Sequence, residues 1–221
     1  MSDEVDESRR AALRRVAALG AAGPLAALGS DGATADVDVD VNVDTDGGSG
    51  DTDTREAVAG YVHSAPGVHL SKVRDDLGVG TGTAQYHLRR LVDDNALESH
   101  RDGDYRRFYP AGQFSTLEKR VLGQLRRETA RGVLVELLSD PTASAGDLAS
   151  RLDVSRPTVS DRAADLERAG LLDRTDYSLR HPETVLVLVL RYADSLGPRA
   201  RRVAREADDL LRYDPTPGSR S

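Results

Sequence analysis

Residues 147–172, DLASRLDVSRPTVSDRAADLERAGLL, decide the fold of this chain. Their apolar positions are spaced for two short helices that share one small core. The second helix begins near Ser155, whose hydroxyl can accept a helix-terminal N–H, and Pro157, whose missing N–H costs nothing in a first turn. Gly170 marks its end, because glycine tolerates the left-handed backbone of a helix cap. The stretch therefore predicts a helix-turn-helix.

The second helix of this motif presents a short polar face. Val159, Ala163 and Leu166 have the spacing of an inward stripe, so the residues between them lie outside. The donor-bearing side chains on that outer face are Arg156, Thr158, Ser160 and Arg162. We expect this face to be a candidate binding surface.

The same pattern occurs earlier in the chain at a fixed offset of 75 positions, with no gap. The pairs include Val73 with Leu148, Leu77 with Leu152, Val79 with Val154, Thr83 with Thr158, Leu91 with Leu166 and Asn95 with Gly170. Apolar residues can match by chance in two stretches of sequence. A chance match is a weaker explanation when the same offset also pairs two threonines and two helix-ending residues. We therefore predict two copies of one unit.

Composition narrows the class of protein. Aromatic residues make up only 4% of the chain, so its cores must be built from Leu, Val and Ala, which suits small helical domains. There is no cysteine, and the five histidines show no metal-ligand spacing. Arg and Asp dominate the charged residues and there are only two lysines, a composition typical of proteins from a high-salt cytoplasm. We expect no metal site and no cofactor.

Charge is distributed unevenly along the chain. Residues 1–54 hold 12 Asp and Glu against 4 Arg, a net charge of −8, whereas the remaining 167 residues hold 25 acids and 26 bases. The part expected to fold is therefore nearly neutral.

The N-terminal 35 residues allow two interpretations. Arg9 and Arg10 precede a weakly apolar run, residues 16–30, and then Ala33-Thr34-Ala35, which resembles a twin-arginine export signal with its cleavage site. The alternative is an alanine-rich extension that is not exported. The run is too short and too rich in Gly and Pro to span a bilayer, which needs ~20 apolar residues. We favour the extension, and with it a cytoplasmic protein over an exported or membrane-attached one.

Residues 36–54, DVDVDVNVDTDGGSGDTDT, are acidic and of low complexity. Such a composition cannot bury enough apolar surface to offset the entropy of ordering, so we predict a disordered spacer. The functional alternative is a DNA-mimicking tail that competes for basic surfaces.

The first unit is predicted to contain three helices, at residues 55–64, 70–77 and 80–95, followed by a β-hairpin. The hairpin strands, 97–101 and 105–109, flank Asp102-Gly103-Asp104, which is a strong turn signal. Three helices and a hairpin make a winged helix.

Part of the first unit resembles a known family of proteins. Residues 73–110, VRDDLGVGTGTAQYHLRRLVDDNALESHRDGDYRRFYP, are similar to the winged helix-turn-helix domains of ArsR/MarR-type transcription regulators, particularly tandem forms from halophilic archaea. The resemblance implies that the third helix lies in the DNA major groove and that the hairpin, the wing, lies near the backbone or minor groove. It assigns DNA contacts on the helix to Thr81, Thr83, Gln85, Tyr86, Arg89 and Arg90, and on the wing to Arg101, Arg106 and Arg107. The alternative for each arginine is an ordinary solvated charge.

The remaining elements follow the same plan. Ser115 and Glu118 predict a capping box that opens a linker helix. The second wing, residues 172–179, is shorter and less basic than the first, so the first unit is predicted to be the main DNA-contacting unit. Residues 182–195 form the most apolar helix, which we expect to dimerise or to pack within the monomer. The helix after it, 198–213, carries an arginine cluster (199, 201, 202 and 205) near its start, which predicts an external anion or acidic residues of a partner chain.

The expected fold is mainly α with small β-hairpin wings. Its parts are an N-terminal extension (1–54), a first winged helix-turn-helix domain (55–113), a linker helix (114–127), a second winged helix-turn-helix domain (128–181) and C-terminal helices (182–214).

The expected function is that of a dimeric, sequence-specific double-stranded DNA-binding transcription regulator. The alternatives are a winged-helix protein-interaction module and an exported binding protein. We expect no enzyme, because nucleotide-binding, metal-site and nucleophile motifs are absent from the sequence. The sequence does not identify an effector.

Overall fold

The computed structural model describes residues 48–210, with side chains described for residues 50–206. The expected targeting signal, most of the acidic spacer and the C-terminal residues 211–221 lie outside this range. The elements, in chain order, are α1 (Gly48–Ser64), β1 (Val68–His69), α2 (Leu70–Leu77), α3 (Thr81–Asp93), β2 (Leu97–Asp102), β3 (Tyr105–Pro110), α4 (Thr116–Leu125), α5 (Glu128–Ser139), α6 (Ala145–Leu152), α7 (Arg156–Arg168), β4 (Leu172–Asp173), β5 (Ser178–Leu179), α8 (Pro182–Arg191), α9 (Ala193–Leu196) and α10 (Pro198–Leu210).

The predicted fold class is confirmed: two winged helix-turn-helix units in tandem, followed by C-terminal helices. In each unit a short helix and a recognition helix, α2–α3 and α6–α7, follow a longer first helix and precede an antiparallel hairpin. The turn between α2 and α3 begins at Gly78, with φ of +64°, and the turn between α6 and α7 begins at Asp153, with φ of +55°. These two residues are 75 positions apart, as the repeat requires.

The first unit gains a strand that the sequence did not predict. β1, only two residues long, pairs with β3 in the order β1-β3-β2, and Val68 lies opposite Phe108. Its core consists of Val58, Val62, Val73, Leu88 and Leu91 with their neighbours on the sheet. The extra strand therefore anchors the root of the wing to the helices.

The first helix begins earlier than predicted. α1 starts at Gly48, seven residues upstream of Arg55, so the prediction of a disordered spacer is wrong for residues 48–54. Asp51 in the first turn favours helix formation, because a carboxylate interacts well with the positive end of the helix dipole. Asp51 also approaches His87 of α3, and Arg55 pairs with Asp94 after that helix. Contacts with α3 thus order a stretch whose composition alone indicates disorder.

The predicted helix-start signals are confirmed. The Ser155 hydroxyl accepts the N–H of Thr158 at 3.2 Å, and Pro157 lies in the first turn of α7. Ser115 and Glu118 form both hydrogen bonds of the capping box at α4. Gly170, with φ of +69°, follows the end of α7.

The second unit shares one large core with α4 and the C-terminal helices. Leu122, Leu134, Leu166 and Val189, from four different helices, are all fully buried in the same cluster. The predicted linker helix is therefore a helix, but it is a core element and not a spacer. The predicted single helix over 182–195 is divided at Tyr192 into α8 and α9.

Arg126 is one of the residues that connect the first unit to the rest of the protein. Arg126, at the end of α4, donates from Nε to the carbonyl of Pro66 at 2.9 Å and from Nη1 to the carbonyl of Ser195 at 3.0 Å. Burial lowers the pKa of Arg126 to about 10, so the guanidinium stays charged at neutral pH. This side chain links the first unit, α4 and α9.

Candidate nucleic-acid interface

The outer face of α3 carries an open set of polar side chains. Ala84, His87, Leu88 and Leu91 point into the core and are at most 3% exposed, so the helical period turns the other residues of α3 outward. All six predicted contact residues on this helix are exposed: Thr81, Thr83, Gln85, Tyr86, Arg89 and Arg90. The N-cap residue, Gly80, has no side chain that could cap α3. The N–H groups of the first turn are therefore open to a phosphate.

The two arginines of α3 extend from the protein in different ways. The Arg89 side chain is 82% exposed and its ion pair with Asp93 is long, at 3.8 Å. Arg90 donates from Nη1 to the Tyr86 hydroxyl at 3.0 Å, and its guanidinium lies 5.8 Å from the centre of the Tyr86 ring. Tyr86 is 48% exposed. Arg90 and Tyr86 are therefore positioned as a pair, while Arg89 is free to reorient.

Two of the three predicted arginines of the wing, the β2–β3 hairpin, are available. Arg101 and Arg106 lie opposite each other across the two strands, and both are exposed. The Arg106 guanidinium lies 5.6 Å from the centre of the Phe108 ring. Together they place two positive charges on one side of the hairpin.

The prediction that Arg107 contacts DNA is wrong. Its side chain is only 1% exposed, donating from Nε to Asp102 at 2.5 Å and from Nη1 to the carbonyl of Gly67 at 2.9 Å. Successive residues of a strand point to opposite faces, so Arg107 points away from Arg106, onto the face of the hairpin that also carries Asp102. Arg107 is a structural residue that joins β3 to the turn before β1.

The turn end of the wing is tied to the second unit. Asp102 accepts a salt bridge from Arg127 as well, with the Arg127 Nη2 at 3.1 Å from the Asp102 carboxylate. Arg127 is the N-cap residue of α5, the first helix of the second unit. The orientation of the wing is therefore set jointly by Arg107 and Arg127.

On the corresponding face of α7, more of the polar side chains are already bonded to neighbouring residues of the chain. The Thr158 hydroxyl is 2.8 Å from the Ser155 hydroxyl, and Arg162 pairs with Asp165 at 2.7 Å. Ser160 is half-buried, and Arg156 alone of the four predicted residues is exposed. The strands of the second wing are two residues long, against six in the first. The second unit thus offers fewer free donors.

The 75-residue offset sharpens this contrast. Arg89 and Arg90 of the first unit correspond to Ala164 and Asp165 of the second. At the two positions where α3 is most positive, α7 carries a neutral and a negative residue. The difference was available in the sequence once the repeat had been aligned.

Two of the four arginines in the α10 cluster have acceptors within the chain. Arg199 Nη1 pairs with Glu136 of α5 at 3.0 Å, and Arg199 Nη2 donates to the carbonyl of Arg151 at 3.2 Å. Arg201 donates to the carbonyl of Asp194 at 3.3 Å. Acceptors within the chain thus account for these two charges near the start of the helix.

The described residues hold no metal centre beside the exposed face of α3. Between residues 48 and 210, no group of three or more His, Cys, Asp or Glu side chains is arranged to hold a metal ion. No helix in the same range is long and apolar enough to cross a bilayer. A cleft of about 220 Å³ lies at the base of α3, with Leu77, Val79 and Thr83 among its lining residues.

Comparisons with known proteins agree with this division into two units. Residues 52–122 match a family model described as an N-terminal HTH domain, and residues 117–177 match the MarR family. An uncharacterized HTH-type transcriptional regulator of Methanocaldococcus jannaschii is 29% identical over 119 residues, which are 54% of this chain. The matched region spans 30% of that relative's length. No solved structure matches.

The two family matches fall in succession on the first unit and on the second, and each contains the helix-turn-helix seen in the fold. The chain therefore contains two winged helix-turn-helix units in tandem, of which the second is similar to the MarR family.

Proposed function

We propose that the protein is a sequence-specific, double-stranded DNA-binding transcription regulator whose first unit makes the main contacts. The observation that carries this proposal is the α3 face, where six polar side chains are exposed together beside a basic wing. The name of the Methanocaldococcus relative describes a transcriptional regulator, which supports the same function here. As part of the same proposal, we place the protein in the cytoplasm.

Five of the six side chains of the face have an assigned chemical role in this proposal. With α3 in the major groove, Gln85 pairs with an adenine and Arg89 with a guanine, because those side chains match the donor and acceptor pattern of these bases. Tyr86 and the two threonines bind phosphates, which position the helix without specifying sequence. Arg101 and Arg106 bind the backbone or the minor groove from the wing.

We also propose that two copies act together through α8. Val187 is 59% exposed, although it lies in the most apolar helix of the chain. Leu186 and Leu190 flank it and are half-buried, which leaves a small apolar strip on the outside of the helix. Sedimentation of the wild type as a dimer, and of the Val187→Glu protein as a monomer, is the expected result. A monomeric wild type would contradict this part of the proposal.

The function is tested by selecting binding sites from a pool of random duplexes. We expect an enriched sequence that the wild type binds at least ~10³-fold more tightly than random DNA. The Gln85→Ala and Arg89→Ala proteins should lose most of that discrimination. Equal affinity of the wild type for selected and random duplexes would contradict sequence-specific regulation. Absence of any salt-dependent DNA binding would favour a protein-interaction module.

A further inference from the structure

The N-terminal turn of α1 is docked against the recognition helix. The Oδ1 atom of Asp51 lies 3.4 Å from Nε2 of His87, which is on the inner side of α3 and only 1% exposed. The other ring nitrogen of His87, Nδ1, is buried and makes no hydrogen bond within the described residues. The buried His87 ring of α3 thus contacts Asp51, which follows the acidic segment in the sequence.

A second pair of contacts continues the docking along α3. One turn after Asp51, Arg55 pairs with Asp94 at 2.7 Å, at the C-terminal end of the recognition helix. The pKa of Arg90 is raised chiefly by its hydrogen bond to Tyr86, and the charge of Asp94, which Arg55 holds, adds to that effect. The start of α1 therefore lies beside the basic residues of the proposed DNA-binding face.

The chain that enters α1 from this side is acidic. Aspartates occupy positions 36, 38, 40, 44 and 46, and the helix begins at Gly48. Twelve extended residues reach ~40 Å, whereas a helix of 13 residues such as α3 is ~20 Å long. The aspartates farthest from Gly48 can therefore reach the whole exposed face of α3, while Asp44 and Asp46 can reach only its nearer part.

We propose that residues 36–46 bind the exposed face of α3 and compete with DNA for it. The inference rests on the proposed DNA-binding function. In an extended segment, alternate aspartates carry about one charge per ~6.6 Å, roughly half the charge density of one DNA strand. The segment is thus a weak mimic of the DNA backbone. The covalent attachment of the segment to α1 compensates for this lower charge density, because it gives the segment an effective concentration in the ~mM range.

The test compares two full-length variants with the same change in net charge. The first replaces the five aspartates of the segment by asparagine. The second, the control, neutralises five exposed acids outside the first unit, as E128Q, D153N, E183Q, D194N and E206Q. Their affinities for one short duplex are measured by fluorescence anisotropy over a range of salt concentrations.

We expect the segment variant to bind DNA about 5- to 50-fold more tightly than the wild type at ~50 mM salt, and the control variant less than about 2-fold more tightly. The gain should shrink as salt rises. Equal gains in the two variants, or no gain in the first, would overturn the inference while leaving the proposed function intact. Failure of all three proteins to bind DNA would instead overturn the proposed function, and with it the competition.

A spectroscopic measurement locates the segment without DNA. Because the chain has no cysteine, Thr45→Cys introduces a unique site for a nitroxide label. We expect the label to broaden the amide signals of α3 and to leave those of α7 unchanged, and we expect the broadening to disappear when the five aspartates are neutralised. Broadening spread equally over α3 and α7, or absent from both, would overturn the proposal.

Discussion

The two winged helix-turn-helix units of this protein share a plan and differ in what they expose. In both, a short helix, a tight left-handed turn and a recognition helix occupy corresponding positions 75 residues apart. The outer face of α3 carries Arg89 and Arg90, while α7 has Ala164 and Asp165 there. The inward pattern is common to both units and sets their shared fold, whereas the outward residues differ. We propose that these outward residues determine which unit contacts DNA.

The second unit, which exposes fewer free polar groups, has the larger hydrophobic core. The core of the first unit is limited to α1–α3 and its sheet, whereas that of the second extends through α4, α8, α9 and α10. We infer that the second unit is the scaffold and the first is the DNA-contacting unit. The predictions below test this division.

The largest expected effect separates the two neighbouring arginines of the first wing. Arg107→Met removes the buried partner of Asp102 and should lower the free energy of unfolding by roughly 3–5 kcal/mol. Arg106→Met, on the exposed side of the same strand, should change it by less than ~0.5 kcal/mol and should weaken DNA binding instead. Urea denaturation measures the free energy of unfolding of both proteins, and titration with DNA measures their affinities. Equal stability of the two variants would show that the Asp102–Arg107 pair is not structural.

The next effect concerns the joint between the units. Arg126→Met leaves the carbonyls of Pro66 and Ser195 without this donor and should cost roughly 2–3 kcal/mol. Hydrogen exchange should speed up in α9 and near β1 together, because one side chain serves both. Arg120→Met is the matched control, since Arg120 donates only to the carbonyl of Ala169 from an exposed position. Faster exchange in α9 alone would mean that Arg126 does not couple the units.

A smaller effect distinguishes the recognition helices at corresponding positions. Gln85→Ala should cost about 1–3 kcal/mol of binding free energy at the selected DNA site and much less on random DNA. Ser160→Ala, 75 residues on, removes a half-buried hydroxyl and should change binding by less than ~0.5 kcal/mol. Anisotropy titrations on both duplexes compare the two proteins. A larger loss for Ser160→Ala would reverse the assignment of roles.

The smallest effect is a pH dependence specific to the first unit. His69 caps α2 by accepting the N–H of Lys72 on Nδ1 at 3.3 Å. Its pKa is lowered by burial, and then by the charges of Arg107 and Lys72, so the folded protein favours the neutral ring. The stability contributed by this cap is therefore complete above the unfolded-state pKa of about 6.5, and it decreases as the pH falls towards the lower folded-state pKa.

The matched variant for this effect is His69→Asn, which keeps a capping acceptor that does not titrate. Thermal unfolding between pH 5 and 8 should show a decline in Tm below about pH 6.5 that is shallower in the variant. Parallel pH profiles for the two proteins would exclude His69 as the cause.

The sequence predicted the features whose signals are local. The capping box at Ser115, the cap at Ser155 and the turn at Gly103 each depend on residues within a few positions, and each is present. The repeat then extended one well-marked helix-turn-helix to a second copy. The exposed face of α3 followed from its helical period alone.

The features that the sequence did not predict depend on partners distant in the chain. α1 extends to Gly48 because Asp51 meets His87, which is 36 positions away. Arg107 is buried because Asp102 and Gly67 supply acceptors for its donors. Its alternation with Arg106 along the strand places the two side chains on opposite faces, but the alternation alone does not show which face is buried. Arg126 reaches across 60 and 69 positions, which no local pattern records.

The central claim, that the first unit binds DNA on a scaffold formed by the second, is tested most directly by two double variants. Arg89→Ala/Arg90→Ala and Arg156→Ala/Arg162→Ala each remove two positive charges, one pair from each recognition helix. We expect the first protein to lose about 10- to 100-fold in affinity for the selected duplex and about two units of the logarithmic salt slope. The second should change by less than about 3-fold. Equal losses in the two proteins, or a larger loss in the second, would contradict the account.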